Sequence, residues 1–371
     1  MSTFEYIANR KGKLMFTLTV LANICLVFTL LTPYVSPEKY WPIELFGLAY
    51  PVIYIVNVFF IIFWSLFRRK RVFITIALVA LSYRDIRSYV QFQVFKEKTP
   101  VHNTLKVISY NVRLFNLYNW TDKKSRTEIF AMLKKEAPEI VCIQEFYNSS
   151  KKNINNLDSL LNIRKEKSYY HVEYSSHQNE SDKWGLITVS SYPIVHKGKV
   201  LFNEETNNLC IYSDIKIKED TVRVFNVHFQ SNRLKKEDYE FIGDPYSKKD
   251  DEKISASKNI LRRLKIGVTK RASQVDTVTR YIQNSPYPVI ICGDFNDTPC
   301  SYTYHRLSDN LKDTFIECGS GIGNTYNGSL PPLRIDYILY SSCFLCSSYE
   351  VLKRNLSDHY PVISVIGFKN E

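Results

Sequence analysis

Two long runs near the N-terminus contain no charged residue, and they constrain the fold more than any other feature of the sequence. Residues 14–37 are charge-free over 24 positions, and residues 45–67 are charge-free over 23. A helix crosses the apolar core of a bilayer with roughly 20 residues. The first run is too long for the apolar part of a signal peptide and ends without a small-residue cleavage pattern. The sequence therefore predicts two transmembrane helices, and the first is a retained anchor.

A third apolar stretch follows directly, and two placements are open for it. The run from Val72 to Tyr83 is uncharged, whereas residues 84–87 carry three charges. The stretch either crosses the bilayer over residues 72–92, with its charges near the interface, or lies in the membrane surface as an amphipathic helix. We expect it to cross, because Val72 follows the basic cluster at 68–71 too closely for a loop.

Basic residues cluster at the outer ends of the two charge-free runs, before the first and after the second. Arg10, Lys11 and Lys13 precede the first run, and residues 68–71 follow the second. Lys39 is the only basic residue in the loop between the runs. By the positive-inside rule, both basic clusters stay in the cytoplasm. If the third stretch crosses, the rest of the chain lies on the outer, periplasmic or extracellular face, and the protein is a multi-pass protein of the cell membrane.

The rest of the chain is predicted to be one large globular domain. Residues 1–95 form the membrane anchor, residues 96–104 a short polar linker, and residues 105–371 the globular domain. The first hundred residues contain 12 Lys/Arg and 5 Asp/Glu, and the others contain 37 and 32. The globular part is therefore only mildly basic, which fits an ordinary solvated surface and gives nucleic-acid binding weak support.

Within that domain, strand and helix patterns alternate. The predicted strands are Leu105–Asn111, Glu139–Glu145, Trp184–Ile194 (which includes a turn), Val222–His228 and Pro288–Asp294. Helices are predicted over Ser125–Ala137 and Arg271–Gln283, and the lysine-rich segment 233–270 is predicted to be an insertion or a mobile lid. There is no Walker A loop and no dinucleotide-binding glycine fingerprint. This alternation favours an α/β fold with two packed sheets and outer helices.

Most of these strands end on polar side chains suited to metal binding or proton transfer. Alternation places Asp294 and Asn296 on the same side of the backbone. The other groups of this kind are Asn111, Glu145, Asn226, His228, Asp336, Asp358 and His359. Carboxylates and amides at strand ends are typical of a site that binds a hard metal ion and activates water. Six separate segments therefore indicate one catalytic site.

In composition and in order along the chain, these segments resemble the motifs of the endonuclease/exonuclease/phosphatase superfamily. The matching stretches are Ser109–Asn111, Ile143–Glu145, Asn226–His228, Gly293–Asn296, Arg334–Tyr337 and Ser357–His359. The resemblance covers residues 105–368. It implies a four-layer α/β sandwich, in which two mixed sheets pack together between outer helices, and hydrolysis of phosphoester bonds that depends on Mg²⁺ or Mn²⁺.

The resemblance also implies a role for each residue on the metal and water side of the site. Glu145 would be the main metal ligand, with Asn111 and Asp358 beside it. Asp294 would orient or deprotonate the attacking water. Asn296 would hold that water or an oxygen of the phosphate.

A second group of residues would act on the phosphate and the leaving group. His359, paired with Asp336, would stay protonated and stabilise the phosphoryl oxygens, because a nearby opposite charge raises the pKa of an imidazole. Asn226 and His228 would bind the substrate, and His228 would bind the phosphate or protonate the leaving oxygen.

Three functions follow from these features, and they differ in substrate. The favoured one is a membrane-tethered phosphodiesterase or phosphatase that acts on a lipid headgroup or another small phosphoester, with the bilayer as its partner and no obligate protein partner. The alternative is a membrane-anchored nuclease that acts on DNA or RNA. The third, an inactive binding protein on the same fold, would lack a catalytic group, and none is missing.

Overall fold

A computed structural model shows an N-terminal helical segment followed by an α/β domain. It describes residues 3–67, 70, 72–92, 102–119, 125–150, 154–164, 167–179, 181–203, 206–246, 249–329 and 332–369. Most of the predicted linker at 96–104 lies outside these ranges. Its last three residues, 102–104, already belong to a strand.

The N-terminal segment is built on two long apolar helices. Its helices are α1 (Thr3–Leu31), α2 (Pro37–Tyr40), α3 (Glu44–Leu48), α4 (Tyr50–Leu66), α5 (Val72–Leu81) and α6 (Tyr83–Arg87). The stretch Gly12–Tyr34 is long and apolar enough to cross a membrane. A second candidate is formed by Pro37–Leu48 and Tyr50–Leu66 together, which are bent by 56° where they meet.

Two of the predicted spans differ from the helices that the structure contains. The run 45–67 is interrupted at Ala49, where α3 ends and α4 begins in a new direction. The stretch 72–92 is not one helix either, because α5 ends at Leu81 and the chain then forms α6 and the short strand β1 (Val90–Gln91). The charges at 84–87 therefore lie in a separate helical turn.

Within this segment, hydrogen bonds lie inside and apolar side chains point outward. The Trp64 indole Nε1 donates to Thr19 Oγ1 at 2.9 Å, and Asn57 Nδ2 donates to the Ala22 carbonyl at 3.1 Å. On the outer surface of α4, the Ile55 side chain is 67% exposed and Leu66 is 76% exposed. This is the reverse of a water-soluble helix, which buries its apolar face.

Two six-stranded sheets form the centre of the α/β domain. The strands are β2 (His102–Asn111), β3 (Ile140–Ser149), β4 (Tyr169–Asn179), β5 (Asp182–Ser190), β6 (Ile194–Lys199), β7 (Leu209–Ile217), β8 (Asp220–His228), β9 (Val289–Asp294), β10 (Lys312–Asp313), β11 (Gly321–Ile322), β12 (Asp336–Tyr340), β13 (Phe344–Val351) and β14 (Val362–Phe368). The first sheet has the order β13-β14-β2-β3-β5-β4, and the second has the order β10-β12-β9-β8-β7-β6. Both sheets are mixed, since β2–β3 and β8–β9 are parallel and their neighbours antiparallel.

The two sheets pack face to face, with helices on their outer faces. The helices of the domain are α7 (Ser125–Glu136), α8 (Asn156–Leu161), α9 (Lys236–Gly243), α10 (Asp250–Gln283), α11 (Tyr302–Ser308) and α12 (Thr314–Cys318). Between the sheets, Val107 packs against residues such as Ile290. Met132 of α7 covers the first sheet, and Val275 of α10 covers the second. The predicted four-layer α/β sandwich is confirmed.

The segment 233–270, predicted to be an insertion or mobile lid, is mostly helical. It contains α9 and the first part of α10, a helix of 34 residues in which the predicted helix start at Arg271 lies in the middle. Ile260, Leu264 and Val268 are spaced four residues apart, which gives the helix an apolar stripe. The charged residues among them, Arg262, Arg263 and Lys265, hid this stripe in the sequence.

The ends of the central strands meet at one edge of the sandwich. Asn111 at the end of β2 lies opposite Gln144 of β3, and His228 at the end of β8 lies opposite Asp294 at the end of β9. Asp336 starts β12 beside Asp294 because these two strands are antiparallel. Polar residues from distant parts of the sequence therefore share one edge.

The N-terminal segment packs directly on the α/β domain. The Glu44 carboxylate of α3 accepts a hydrogen bond from the Tyr302 backbone N at 3.1 Å. The Arg334 guanidinium donates to the Ser88 carbonyl at 2.8 Å, and β1 pairs with β11. The predicted division into residues 1–95 and 105–371 therefore separates two parts that share an interface.

Candidate active site

Asp294 lies at the centre of a polar cluster at this sheet edge and is fully buried. Its Oδ2 accepts a hydrogen bond from Asn111 Nδ2 at 3.0 Å. The same oxygen lies 3.6 Å from His228 Nε2 and 3.7 Å from His359 Nε2. Its Oδ1 accepts from the Asn296 backbone N at 2.8 Å. These contacts fix both carboxylate oxygens and bring two imidazoles to the same acid.

His359 and Asp336 form a buried pair beside this cluster. His359 Nδ1 lies 2.9 Å from one Asp336 carboxylate oxygen and 3.1 Å from the other. Burial disfavours a charged ring, but the carboxylates of Asp336 and Asp294 outweigh it and raise the pKa of His359 from 6.5 to about 10. Burial also raises the pKa of the Asp336 carboxyl. The short contact favours the imidazolium–carboxylate form of the pair, as predicted for these two residues.

Glu145 occupies an irregular position in β3. The strand continues past it to Ser149, and its register with β5 shifts between Ile143 and Phe146, which marks a β-bulge. The Glu145 backbone has a positive φ of 53°, a conformation that costs energy for a residue other than glycine. The bulge points the carboxylate out of the sheet, so its side chain is 32% exposed and lies 4.0 Å from His228 Nε2.

A divalent cation fits the Glu145 end of the site better than its buried end. Ligand atoms of Asp294, Asp336 and His359 lie within 4.8 Å of one another. A metal ligand must offer a lone pair, however, and the protonated His359 ring has none. Among the described residues, the basic group nearest the Glu145 carboxylate is His228, at 4.0 Å. Oxygen donors at a partly exposed position suit Mg²⁺.

Of the other two predicted metal ligands, Asn111 contacts Glu145, whereas Asp358 is engaged by another residue. Asn111 donates from Nδ2 to Glu145 Oε1 at 3.4 Å, and a half-turn of its amide would present the oxygen instead. Asp358 is paired with Arg113, with 3.3 Å between Nε and Oδ2. Arg113 in turn donates its backbone N–H to Asn111 Oδ1 at 3.0 Å. The ligand role of Asp358 stays a prediction.

Asn226, predicted to bind substrate, lies beneath the site. Its side chain is fully buried, and its Nδ2 donates to the Ile187 carbonyl at 2.9 Å. Its Oδ1 accepts from Gln144 Nε2 at 2.7 Å. With both amide atoms bonded between the two sheets, Asn226 positions β3 and β8 and does not face the cleft. Gln144, which the sequence did not single out as a site residue, is its partner.

Asn296 lies at the rim of the site. Its Nδ2 donates to the Phe229 carbonyl at 3.0 Å, and its backbone has a φ of 53°. The side chain is partly exposed and lines the wall between the site and a neighbouring cavity. Its side chain therefore faces this neighbouring cavity, and its role toward water or phosphate stays a prediction.

The polar cluster opens into a cavity of about 240 Å³, here called the catalytic cleft. Glu145 and His228 line it, together with Trp184, Gln230 and Arg233. Strand periodicity could not predict that Gln230 and Arg233 line this wall, because both residues lie in the irregular chain after β8. Tyr326 was also missed, and its ring stands edge-on to the His359 ring at 5.2 Å.

Comparison with protein families gives two matches that divide the chain as the fold does. Residues 108–359 match the profile described as the Endonuclease/Exonuclease/phosphatase family. Residues 12–89 match a domain of unknown function (DUF8431). No curated protein sequence matches the chain.

Solved structures with the same fold cover most of the α/β domain. An endonuclease/exonuclease/phosphatase family protein from Bacteroides thetaiotaomicron is 19% identical, with 72% of this chain and 98% of that chain covered and a TM-score of 0.53. The human Nocturnin catalytic domain is 16% identical, with 72% and 95% covered and a TM-score of 0.51. A mannosyl-6-phosphatase from Bacteroides thetaiotaomicron is 19% identical, with 71% and 100% covered and a TM-score of 0.50. At these identities the likeness concerns the fold.

Proposed function

The chain belongs to the endonuclease/exonuclease/phosphatase family, and from this premise we propose that it is a membrane-anchored phosphoesterase that depends on a divalent cation. Members of this family are generally hydrolases of phosphoesters. The observation that carries the proposal is the meeting of Glu145, Asp294 and the Asp336–His359 pair at one sheet edge beside an open cleft. Such a set combines a cation site, an acceptor for a proton and a fixed positive charge.

Asp294 is the acceptor for the proton of the attacking water. Its Oδ1 is held by the Asn296 backbone N–H and its Oδ2 by Asn111, so the orientation of the carboxylate beside His228 is fixed. Water then attacks phosphorus as its proton passes to Asp294, and the bond from phosphorus to the leaving oxygen breaks. A general base acts only when it is within hydrogen-bond reach of the proton that it accepts.

Two imidazoles handle the negative charge that develops in this step. His359, held protonated by Asp336, stabilises the phosphoryl oxygens through a charge fixed before the reaction begins. His228, which lies 3.6 Å from Asp294 and lines the cleft, donates a proton to the leaving oxygen. When bound at Glu145, Mg²⁺ or Mn²⁺ supplies further positive charge to the phosphate.

The N-terminal segment is proposed to span the cell membrane more than once. The helix α4 has 17 residues, about 26 Å of length, which is close to the thickness of a bilayer core. Helices α5 and α6 together would form a third, shorter passage. The apolar outer surface and the hydrogen bonds inside support this placement, because lipid cannot satisfy a polar group.

The α/β domain is proposed to lie on the outer face. One end of the helical segment packs Met15, Trp64 and Val72 together, next in sequence to the basic clusters at 10–13 and 68–71. At the opposite end, Tyr50 packs with Cys300 of the α/β domain. Since basic residues favour the cytoplasmic side, this polarity supports an outer position for the domain.

A nuclease is the second candidate, and a basic patch favours it. Lys199, Arg233 and Lys270 line a polar cavity of about 560 Å³ that shares Arg233 with the catalytic cleft. Lysine and arginine beside a cleft attract the phosphates of a nucleic-acid strand. The same patch also suits a single charged headgroup, so the two substrates have to be separated by assay.

The test is a panel of phosphoesters with the full chain in nanodiscs: plasmid DNA, RNA, sphingomyelin, a phosphoinositide and bis(4-nitrophenyl) phosphate. We expect hydrolysis of at least one substrate with Mg²⁺ and none with EDTA. Asp294→Asn should lower turnover at least about 100-fold, the usual effect of losing one preorganised catalytic group. The exposed Asp309→Asn is the matched control. Hydrolysis that persists with both EDTA and Asp294→Asn would reject the proposal.

A further inference from the structure

A second cavity adjoins the catalytic cleft, between the N-terminal helices and the α/β domain. It has a volume of about 550 Å³ and is here called the junction cavity. Ser231 and Arg233 line both this cavity and the catalytic cleft, so the two spaces meet at these residues. Asn296 lines its inner wall. The volume lies in the range of small-molecule sites, which is about 300–1,000 Å³.

The wall of the junction cavity is mainly hydrocarbon. Ile260, Leu264 and Val268 line it from successive turns of α10. Leu48 and Val52 line it from the opposite side, where α3 ends and α4 begins. An apolar wall of this kind cannot satisfy the peptide groups of a bound polypeptide, but it suits an alkyl chain.

The end of the cavity nearest the site is polar. The side chains of Tyr239 and Tyr326 line it. Tyr326 also contacts His359 of the catalytic pair. Arg233 is exposed at the boundary with the catalytic cleft, and among the described residues no acid lies within ion-pair distance of its guanidinium. An arginine in this position suits a phosphate.

The other end of the cavity lies next to the apolar surface of the N-terminal helices. Val52 is in the first turn of α4 and is 66% exposed, on the same helix as the outward-facing Ile55. Ile242 of α9, which also lines the cavity, is 41% exposed. A chain that enters here from the bilayer runs along apolar surface as far as the polar end of the cavity, which adjoins the catalytic cleft.

From these features we infer that the junction cavity holds the hydrocarbon chain of a membrane lipid whose phosphoester lies in the catalytic cleft. The inference rests on the proposed function and narrows its substrate class to amphiphilic phosphoesters. The chain occupies the apolar space between α10 and the start of α4. The phosphate lies between Arg233 and the cluster around Asp294. The N-terminal helices are then part of the substrate site as well as an anchor.

The test uses alkyl 4-nitrophenyl phosphates with methyl, butyl and octyl groups, which share one reacting centre. With the wild-type chain, kcat/KM should rise with alkyl length, by up to about fourfold for each methylene that enters the cavity. Equal values for methyl and octyl substrates would overturn the inference. The control for the proposed function is the methyl substrate, whose hydrolysis does not depend on the junction cavity.

Filling the cavity should remove this dependence on alkyl length. In Leu264→Trp, kcat/KM should fall at least about tenfold for the octyl substrate and stay within about twofold for the methyl substrate. Ile266→Trp, on the exposed side of the same helix, is the matched control and should change neither value. Parallel losses for both substrates in Leu264→Trp would contradict the inference. Leu48→Trp fills the cavity from its other wall if Leu264→Trp does not fold.

If no ester is hydrolysed, the proposed function is rejected. A binding measurement then decides the inference about the junction cavity separately. The probes are decyl phosphate and ethyl phosphate, titrated by calorimetry into the full chain in nanodiscs, with binding to empty nanodiscs subtracted. Tighter binding of decyl phosphate to the wild type but not to Leu264→Trp would support the chain site. Equal binding of the two probes, or none, would overturn it.

Discussion

At the scale of single residues, the site is an arrangement of acids held mainly by hydrogen bonds. Asp294 is fixed by an amide and a backbone N–H, and Asp336 is fixed by His359. Glu145 is held more loosely, by Asn111 Nδ2 at 3.4 Å and by His228 at the 4.0 Å limit of an ion pair. Removing one partner from a buried ion pair destabilises a protein more than removing one partner from an exposed ion pair, because the remaining buried charge is left without compensation.

The first prediction concerns Asp336 and His359 as one catalytic unit. Asp336→Asn and His359→Gln should each reduce turnover severely, and the double variant should be little worse than either one. The reason is that the two side chains touch at 2.9 Å and supply one positive charge together. Single-turnover rates of the three variants measure this. Fully additive losses would show that the two residues act independently.

The second prediction concerns stability below neutral pH. His171 of β4 is buried beside Ser213 of β7, with 3.1 Å between Nδ1 and Oγ. Burial, followed by the charge of Lys197, lowers the pKa of His171 from 6.5 to about 4. The folded state therefore prefers the neutral ring, whereas the unfolded state takes up a proton below about pH 6.5.

The sign of the effect follows from that difference in bound protons. The contribution of neutral His171 to stability is fully present above about pH 6.5 and is lost as the pH falls toward about 4. Thermal unfolding at pH 7, 5.5 and 4.5 should show a steeper loss for the wild type than for His171→Gln. Parallel curves would mean that another group controls the acid sensitivity.

The sequence indicated which polar residues would meet at the sheet edge, but it did not indicate several of their partners. Strand ends were enough to bring Asp294 and His228 to one edge, because a strand end determines where its last side chains point. Asp336 reaches the same edge as the first residue of β12, an antiparallel neighbour of β9. The pairing of Asp358 with Arg113 and the burial of Asn226 depend on contacts between distant side chains. A single sequence contains no signal for such contacts.

At the scale of elements, the site depends on departures from regular strand geometry. The bulge at Glu145 turns its carboxylate out of β3, and the positive φ of Asn296 turns the chain sharply after β9. A sequence pattern predicts where a strand lies but not where it bulges. This is also why the predicted strand ended at Glu145, whereas β3 continues to Ser149.

The long helix α10 illustrates a second limit of pattern reading. It carries four lysines, four arginines and four acids, so its hydropathy is low although Ile260, Leu264 and Val268 form an apolar stripe. Lysine stems cover apolar surface while their charges stay in water, and the composition then resembles that of a loop. The spacing of four residues was the informative feature, and the prediction of a mobile lid gave composition too much weight.

The third prediction tests the contact between α3 and the α/β domain. A Cβ atom on Gly47 would lie 2.6 Å from the Cys300 carbonyl oxygen and 2.8 Å from Thr32 Cγ2. Gly47→Ala should therefore push the N-terminal segment away and destabilise the protein by about 1–3 kcal/mol. Gly12→Ala in α1 is the control, since nothing lies within 4 Å of its Cβ. Equal thermal unfolding of the two variants would mean that this contact is loose.

At the scale of the whole molecule, the N-terminal helical segment and the α/β domain share one interface. Glu44, Gly47 and Ser88 of the N-terminal segment all contact the α/β domain. The sequence predicted both parts and their order, because apolar runs and strand motifs are local patterns. It predicted a linker between them and not this contact, because residues 44 and 302 lie far apart in the sequence and no local pattern relates them.

The fourth prediction concerns the side of the membrane on which the domain lies. Alkaline phosphatase fused at the C-terminal end should be active and green fluorescent protein fused there should be dark, because the basic clusters stay in the cytoplasm. Fusions after Lys70 should give the opposite result and serve as the control. A fluorescent C-terminal fusion would place the domain in the cytoplasm and α5 in the membrane surface.

The fifth prediction addresses the central claim, that phosphoester hydrolysis depends on a divalent cation at Glu145. The measurement is the initial rate as a function of Mg²⁺ concentration, for whichever substrate of the panel the full chain hydrolyses best. Glu145→Gln keeps the shape of the side chain and removes its charge, so turnover should fall at least about 100-fold. The exposed Glu350→Gln on β13 should behave as wild type. Wild-type rates for Glu145→Gln at low Mg²⁺ would contradict the account.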